Sequence, residues 1–325
     1  MKRGVNMKNT GLHHVSVLSG DIRKAYYFYH NILGMKLILK TVNQDDRNMY
    51  HLFFGDDTGR GGTEFTVFEM KGTRNKKFGT NSIERTMFLV PSEEAIHFWE
   101  KRLTEYNVLH YGIEVYNGKK ILRFEDEDGQ NLGFVYRENI DLSKMNPYNA
   151  PDIPEKYSIL GIGDIYIRVR YTEATEKIIE NYFGFSKYSE IVENNRKISL
   201  FRFDGSPFRH EIHIIEDRKA PLQELGVGGI HHISFGVEDI SDLKILQEKL
   251  EYRNFQNLGI VDREFITSSY FREANDNLFE VATPLLKDRK EFPEQNKDFD
   301  EIPLFLPEFL EKERKEIEVN VNYKF

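Results

Sequence analysis

The chain repeats one pattern of secondary structure four times, and this repetition restricts its fold more than any other feature. Each copy has the pattern of a strand, an amphipathic helix and three more strands, with first strands beginning near residues 13, 83, 164 and 230. Apolar residues at alternate positions predict the strands, and apolar residues three or four apart predict the helices. The sequence therefore predicts an α+β protein built from four βαβββ modules that pair into two domains.

A segment with little periodicity divides the four modules into two pairs. Residues 139–154 contain three prolines and are expected to form a linker. We therefore expect an N-terminal domain at 8–145 and a C-terminal domain at 155–325. The second domain includes a tail in which a charged segment, 287–301, precedes five apolar residues that need a surface to dock on: Leu304, Phe305, Leu306, Phe309 and Leu310. This pattern predicts a tail that wraps around the body of the protein.

The first and fourth modules open with matching stretches. Residues 11–17 and 229–235 share the order apolar, His, His, β-branched, Ser, apolar. Neighbouring side chains on a strand point to opposite faces, so one histidine of each pair should reach a common interior. The alternate apolar positions belong to the side that meets the helices, which leaves His14 and His232 facing inward. A single histidine is more often structural than a ligand, but the repetition in phase favours a shared metal site.

A carboxylate in the last strand of the fourth module is the third candidate ligand. Glu280 interrupts an apolar strand and has the opposite parity to Phe279 and Val281, so it should also face inward. Two imidazoles and one carboxylate form a facial triad, a set that suits non-haem Fe(II) or Mn(II) in oxygen chemistry. A buried glutamate is tolerated when it balances a dication.

The other modules lack this combination. The second and third do not open with paired histidines, and the second has Gly133 close to the position equivalent to Glu280, so both are expected to be scaffold. In the first module a simple alignment places Val67 opposite Glu280. Glu69 shares the parity of Val67 and stays open as a fourth ligand.

Composition narrows the chemistry further. The 325 residues include no cysteine, which excludes disulfides, thiolate metal sites and a cysteine nucleophile. The net charge of −8 and the lack of a long basic run argue against a nucleic-acid surface. No apolar run approaches the ~20 residues that span a bilayer, and the N-terminal residues lack the apolar core of a signal peptide. A cytoplasmic protein without a membrane partner is therefore expected.

The βαβββ repeats with His-His openings resemble the vicinal oxygen chelate superfamily of glyoxalases, bleomycin resistance proteins and extradiol dioxygenases. The details are similar to its ring-cleaving dioxygenases that act on hydroquinones. The resemblance runs from residue 11 to the C-terminal region, and its more specific parts are residues 40–46, 50–52, 269–273, 278–280 and 304–307. It implies two glyoxalase/dioxygenase-like domains.

The resemblance also implies roles for individual residues. His14, His232 and Glu280 match the metal ligands. Four further residues match positions that line the substrate pocket outside the coordination sphere: His13, His231, Arg263 and Tyr270. In such positions a histidine can move a proton, an arginine can hold developing negative charge and a tyrosine can donate a hydrogen bond. Three other histidines gain no role and are expected to be structural: His51, His210 and His213.

The expected function is a ring-cleaving dioxygenase of the extradiol type, which uses Fe(II) or Mn(II) to insert O2 into a substituted hydroquinone or a related dihydroxyaromatic. Two alternatives stay open. A glyoxalase-like isomerase or lyase would need a second carboxylate ligand, for which Glu69 is the candidate. A protein that sequesters an aromatic compound would need no metal. The expected partners are a small aromatic substrate and O2, and a homo-oligomer stays open.

Overall fold

The computed structural model describes residues 7–284 and 292–322 and confirms the four predicted modules. The first two modules have these bounds: β1 (Asn9–Ser19), α1 (Ile22–Tyr26), β2 (Lys36–Val42), β3 (Tyr50–Gly55) and β4 (Glu64–Glu69), then β5 (Ser82–Val90), α2 (Glu93–Glu105), β6 (His110–Tyr116), β7 (Lys119–Glu125) and β8 (Asn131–Tyr136).

The last two modules and the tail follow: β9 (Gly161–Val169), α3 (Thr172–Phe183), β10 (Ser186–Glu193), β11 (Arg196–Arg202) and β12 (Glu211–Glu216), then β13 (Ile230–Val237), α4 (Ile240–Tyr252), β14 (Asn257–Asp262), β15 (Thr267–Arg272) and β16 (Leu278–Ala282), and finally α5 (Arg314–Asn322). Short 3-10 turns lie at Leu142–Lys144, Glu155–Tyr157, Phe299–Glu301 and Glu308–Glu313. Among the described residues no helix has both the length and the apolar character needed to cross a bilayer.

The helices begin and end at residues suited to these positions. The carboxylate of Asp21 accepts hydrogen bonds from two backbone amides at the start of α1, and Ser92 and Asp239 cap α2 and α4 in the same way. Gly184, with φ of +70°, ends α3 in the left-handed conformation. The first helix differs from the prediction, because α1 continues as a π-helical turn at Tyr27–Ile32. Apolar residues that lie three or four positions apart in sequence do not distinguish a π-helical turn from an α-helix.

The modules pair in an order that the sequence does not reveal. One eight-stranded sheet has the strand order β14-β15-β16-β13-β1-β4-β3-β2, and the other has the order β10-β11-β12-β9-β5-β8-β7-β6. The first module therefore joins the fourth through antiparallel β1 and β13, and the second joins the third through β5 and β9. The division at 8–145 and 155–325 stays a prediction about folding units. The two sheets do not follow this division, because each sheet contains four strands from residues 8–145 and four from residues 155–325.

The two sheets differ on their inner faces. In the sheet of the second and third modules this face is filled by a cluster that includes Met87, Tyr116 and Tyr166. A Cβ atom on Gly133 would lie 2.4 Å from the sulfur of Met87, so the glycine is needed for this filling. The inner face of the sheet of the first and fourth modules instead borders a cavity of about 470 Å³. One sheet is thus the scaffold and the other contains the candidate site.

The C-terminal tail packs onto the first module, as predicted. Lys40 on β2 donates hydrogen bonds of 2.7 Å to the backbone carbonyls of Phe299 and Ile302. Leu304, Leu306 and Leu310 are buried. Phe305 and Phe309 were expected to dock in the same way but are 41% and 56% exposed, because they lie on the outer side of the same segment.

Candidate metal centre

Strand pairing brings the three predicted metal ligands together. In the antiparallel pair β1 and β13, His14 lies opposite Ser234 and Ser16 lies opposite His232. In the parallel pair β13 and β16, Ser234 lies opposite Glu280. The alternation of side chains then places His14, His232 and Glu280 on the same face of the sheet, towards the cavity. The small serines leave space beside them.

The three donor atoms lie at mutual distances suited to one cation. Oε2 of Glu280 is 2.8 Å from Nε2 of His14 and 2.9 Å from Nε2 of His232, and the two imidazole nitrogens are 3.2 Å apart. Three ligands on one face of an octahedron, each ~2.1 Å from a metal ion, are ~3 Å apart. All three side chains are buried, and among the described residues neither carboxylate oxygen of Glu280 has a partner in hydrogen-bonding geometry. A divalent cation would satisfy these buried oxygens.

When no cation is bound, the charges of the triad shift the pKa values of its members. Burial opposes the charged form of His14, but the Glu280 carboxylate outweighs burial and raises the pKa of His14. Burial alone would raise the pKa of Glu280, yet His14 holds that pKa well below its usual range. Burial lowers the pKa of His232. A metal ion that binds here therefore competes with protonation of His14.

The first histidine of each pair supports the ring of the second. Nδ1 of His13 is 3.0 Å from Nδ1 of His14, and Nδ1 of His231 is 2.8 Å from Nδ1 of His232. These contacts lie on the ring edge opposite the nitrogen that faces Glu280, where an outer partner fixes the tautomer of a metal-binding histidine. His13 also approaches Glu64 at 3.2 Å and is not among the residues that line the cavity, whereas His231 is. The predicted catalytic role of both histidines stays a prediction.

The cavity beside the triad has mainly apolar walls. Its lining includes six large apolar residues: Leu18, Phe53, Phe68, Leu258, Phe265 and Ile266. A volume of about 470 Å³ is within the usual range for small-molecule sites. Walls of this kind suit an apolar or aromatic ligand.

Tyr270 and Arg263 both line this cavity, as predicted. Tyr270 lies opposite Glu280 in the pair of β15 and β16, with its ring 5.6 Å from that of His232. Burial, with a further contribution from the Glu280 charge, raises the pKa of the Tyr270 phenol, which therefore stays a hydrogen-bond donor at neutral pH. The guanidinium of Arg263 lies 5.9 Å from the Tyr270 ring and is bound to Asp45.

His51 lines the cavity too, although it was expected to be only structural. Its Nε2 is 3.0 Å from Oγ1 of Thr66, which is 2.6 Å from Oγ of Ser16. Burial lowers the pKa of His51 well below its usual range, so the ring is neutral. The parity argument that selected His14 would have found it, since Leu52 belongs to the core and its neighbours must face the other way.

Glu69 does not belong to the centre, and the simple alignment of the first module was wrong by one residue. The pairing of β1 with β4 places Thr66 opposite Ser16, so Thr66 and not Val67 is equivalent to Glu280. The carboxylate of Glu69 faces the start of α1, 3.4 Å from the backbone amide of Ile22. Among the described residues, Glu69 is in none of the groups that could hold a metal ion.

Two other groups of potential ligands are less suited to a metal ion. His13, His14 and Glu64 form one group, but His13 and Glu64 lie away from the cavity. The second group, in the scaffold sheet, is Asp164, Glu211 and His213. Here Arg137 forms an ion pair with Asp164 and already supplies the positive charge. His210 accepts a hydrogen bond from the backbone amide of Leu12, which fits its expected structural role.

Known proteins resemble this chain in both sequence and fold. The family model described as the glyoxalase/bleomycin resistance protein/dioxygenase superfamily matches residues 11–134. A protein of Bacillus subtilis (strain 168), provisionally named ring-cleaving dioxygenase MhqA, is 38% identical over 318 residues, which cover 97% of this chain and 99% of the relative. The chlorohydroquinone/hydroquinone 1,2-dioxygenase of Sphingobium indicum is 26% identical over 291 residues, which cover 88% of each chain.

Solved structures give the same picture. The crystal structure of a Bacillus subtilis protein, provisionally described as a dioxygenase, superimposes with a TM-score of 0.84 at 27% identity and covers 97% of both chains. Glyoxalase I from Zea mays superimposes with a TM-score of 0.61 at 13% identity, covering 84% of this chain and 92% of the maize chain. At this low identity, the similarity to the maize enzyme shows only that the two chains share a fold.

Proposed function

The chain belongs to the glyoxalase/bleomycin resistance/dioxygenase superfamily, and on this premise we propose that it is a metal-dependent dioxygenase that cleaves the ring of a substituted hydroquinone or a related dihydroxyaromatic. The observation that carries the proposal is the convergence of His14, His232 and Glu280 at the wall of an aromatic-sized cavity. The names of its relatives point to the same class of substrate, because three are provisionally ring-cleaving dioxygenases and one acts on hydroquinone.

We propose Fe(II) or Mn(II) as the metal and an extradiol type of cleavage. Two neutral imidazoles and one carboxylate suit these ions, and three protein ligands leave coordination positions for small molecules. When bound, such an ion supplies the Lewis-acid and redox chemistry that allows O2 to react with an electron-rich ring. The His13 and His231 rings hold the two ligand imidazoles in orientation from the opposite edge.

The other cavity residues bind and orient the ring. Tyr270 donates a hydrogen bond from its neutral phenol to an oxygen of the substrate. Burial lowers the pKa of His231 to about 3, so its ring is neutral. With His232 bound to a metal through Nε2, its Nδ1–H donates to Nδ1 of His231, which leaves the Nε2–H of His231 to donate a hydrogen bond to an oxygen of the substrate. Arg263 keeps N–H groups that its ion pair with Asp45 does not use, and these donate hydrogen bonds to the ring oxygens as negative charge develops there. The apolar walls exclude water from the reacting ring.

The isomerase and sequestration alternatives receive less support. A glyoxalase-like centre would draw a second carboxylate from Glu69, which faces α1 and not the cavity. A protein that only sequesters an aromatic compound does not need a buried carboxylate between two imidazoles. The cytoplasmic location and the homo-oligomer stay predictions.

Oxygen consumption tests the proposal. The purified protein is loaded anaerobically with Fe(II) or Mn(II), and O2 uptake is measured with hydroquinones and catechols. We expect uptake with hydroquinones and a product that contains both atoms of 18O2. Changing His14, His232 or Glu280 to Ala should remove metal and activity together, whereas Y270F should slow turnover with the metal retained. A metal-loaded protein that consumes no O2 with any of these substrates would refute the function.

A further inference from the structure

The described cavity lining contains one cationic and two acidic side chains. Arg263 is the only lysine or arginine among the described residues that line the cavity, and the acids there are Glu280 and Asp45. Glu280 belongs to the metal centre. Asp45 is bound to Arg263, which is the one lysine or arginine in the described cavity lining that a charged substrate could meet.

Asp45 holds this guanidinium with both carboxylate oxygens. Nη1 of Arg263 donates to Oδ1 of Asp45 at 2.9 Å, and Nη2 donates to Oδ2 at 2.8 Å. This bidentate arrangement is a strong and geometrically specific contact between an arginine and a carboxylate. The hydrogen bonds from Arg263 lower the pKa of Asp45, so the acid is charged at neutral pH.

The pair joins the two modules that build the site. Asp45 is in the loop between β2 and β3 of the first module, and Arg263 is in the turn between β14 and β15 of the fourth. Nε2 of Gln44 donates to the carbonyl of Arg263 at 2.9 Å, and the backbone amide of Glu308 in the tail donates to the carboxylate of Glu264 at 3.0 Å. The turn is thus held from two sides, and its arginine has a fixed position.

The exposure of the two side chains shows how the pair is oriented. The Asp45 side chain is 72% exposed, whereas that of Arg263 is 19% exposed. The carboxylate therefore occupies the outer side of the guanidinium, and the inner side lies 5.9 Å from the Tyr270 ring. A ring substituent that reaches the guanidinium meets a cation whose charge is already balanced.

We propose that Asp45 is a specificity-determining residue: as the fixed counter-ion of Arg263, it makes the cavity select rings with uncharged substituents over rings with a carboxylate. This inference rests on the proposed function and narrows its substrate class. A carboxylate that enters the apolar cavity away from the metal centre loses its hydration and needs a second, nearby cation to offset that loss. Arg263 offers little compensation while Asp45 holds it. An uncharged oxygen or halogen needs no counter-ion, and Arg263 keeps three N–H groups that Asp45 does not use.

Binding of two matched phenols tests this inference without turnover. 4-Methylphenol and 4-hydroxybenzoate have the same ring and hydroxyl group and differ in the charge of the second substituent. Their dissociation constants are measured by calorimetry on the Mn(II)-loaded protein and on D45N. The wild-type protein should prefer 4-methylphenol, and D45N should reduce this preference about fivefold, the scale of a partly exposed ion pair.

Asp46 provides a matched control. Its carboxylate accepts hydrogen bonds from the backbone and side chain of Asn48, it does not bind Arg263, and it is not among the residues that line the cavity. D46N removes the same charge one residue away and should leave the preference unchanged. In turnover, the ratio of kcat/KM for 2,5-dihydroxybenzoate to that for methylhydroquinone should rise in D45N and not in D46N.

Three results would overturn the inference: a wild-type protein that binds 4-hydroxybenzoate as well as 4-methylphenol, a D45N protein with the wild-type preference, or an equal change in D46N. The wild-type measurement decides the first point even if D45N does not fold. If no dihydroxybenzene supports O2 uptake but the two phenols bind as expected, the proposed function fails and the role of Asp45 in binding stands. If O2 uptake is normal and the binding ratios do not respond to D45N, only the inference fails.

Discussion

Replacing Glu280 with Gln should remove most of the thermal stabilisation that a metal ion gives to the protein. Glu280 supplies the only negative charge of the triad, and its Oε2 lies within 3 Å of both imidazole nitrogens. A glutamine has nearly the same volume, so the buried site keeps its packing. Its amide is uncharged and a much weaker ligand for a hard or borderline divalent cation.

The size of the effect follows from ligand linkage. At a metal concentration of 100 times its dissociation constant, binding stabilises the folded state by ~2.7 kcal/mol. The unfolding entropy of a chain of 325 residues is roughly 0.7 kcal/mol/K, so the wild-type Tm should rise by about 4 °C. If E280Q weakens binding about 100-fold, the same metal concentration gives ~0.4 kcal/mol and a rise below ~1 °C.

Differential scanning calorimetry with and without Mn(II), at one metal concentration, measures both shifts. The matched control is E69Q, which removes an acid on β4 that faces α1 and should keep the full wild-type shift. A full shift in E280Q would show that the metal binds elsewhere. Loss of the shift in E69Q alone would revive the fourth ligand and the isomerase alternative.

Three other predictions follow from individual contacts. Because Glu280 raises the pKa of His14, metal affinity should weaken as the pH falls through that raised value, and calorimetry in buffers of different ionisation enthalpy should detect the released proton. Burial lowers the pKa of Lys40 from 10.5 to about 8, so the unfolded state binds more protons in this interval and the stability of the wild type relative to K40M should rise with pH across it, as measured by urea unfolding. G133A should destabilise the scaffold sheet by ~1–3 kcal/mol, because its Cβ would lie 2.4 Å from the Met87 sulfur, and should leave metal affinity unchanged.

Local patterns predicted most of the secondary structure and selected the candidate metal ligands. Alternation and helical periodicity depend on neighbours in sequence, so they predicted the strands and helices of all four modules with small errors at the ends. The same alternation selected His14, His232 and Glu280, because the side that meets the helices must be apolar and the ligands must lie on the other side. The predicted roles of Arg263 and Tyr270 came from the family resemblance and not from periodicity.

Long-range contacts decided the rest. Alternation gives the face of a side chain but not the partner of its strand, and the pairing of the first module with the fourth depends on contacts more than 200 residues apart in sequence. The alignment of Val67 with Glu280 was wrong by one residue for the same reason, because the register of a strand is set by its neighbour in the sheet. The bond between Asp45 and Arg263 joins two loops, whose conformations leave no periodic signal. The sequence by itself thus determined which side chains can bind a metal, and only the tertiary structure decided that they meet and which charges surround the ring they would bind.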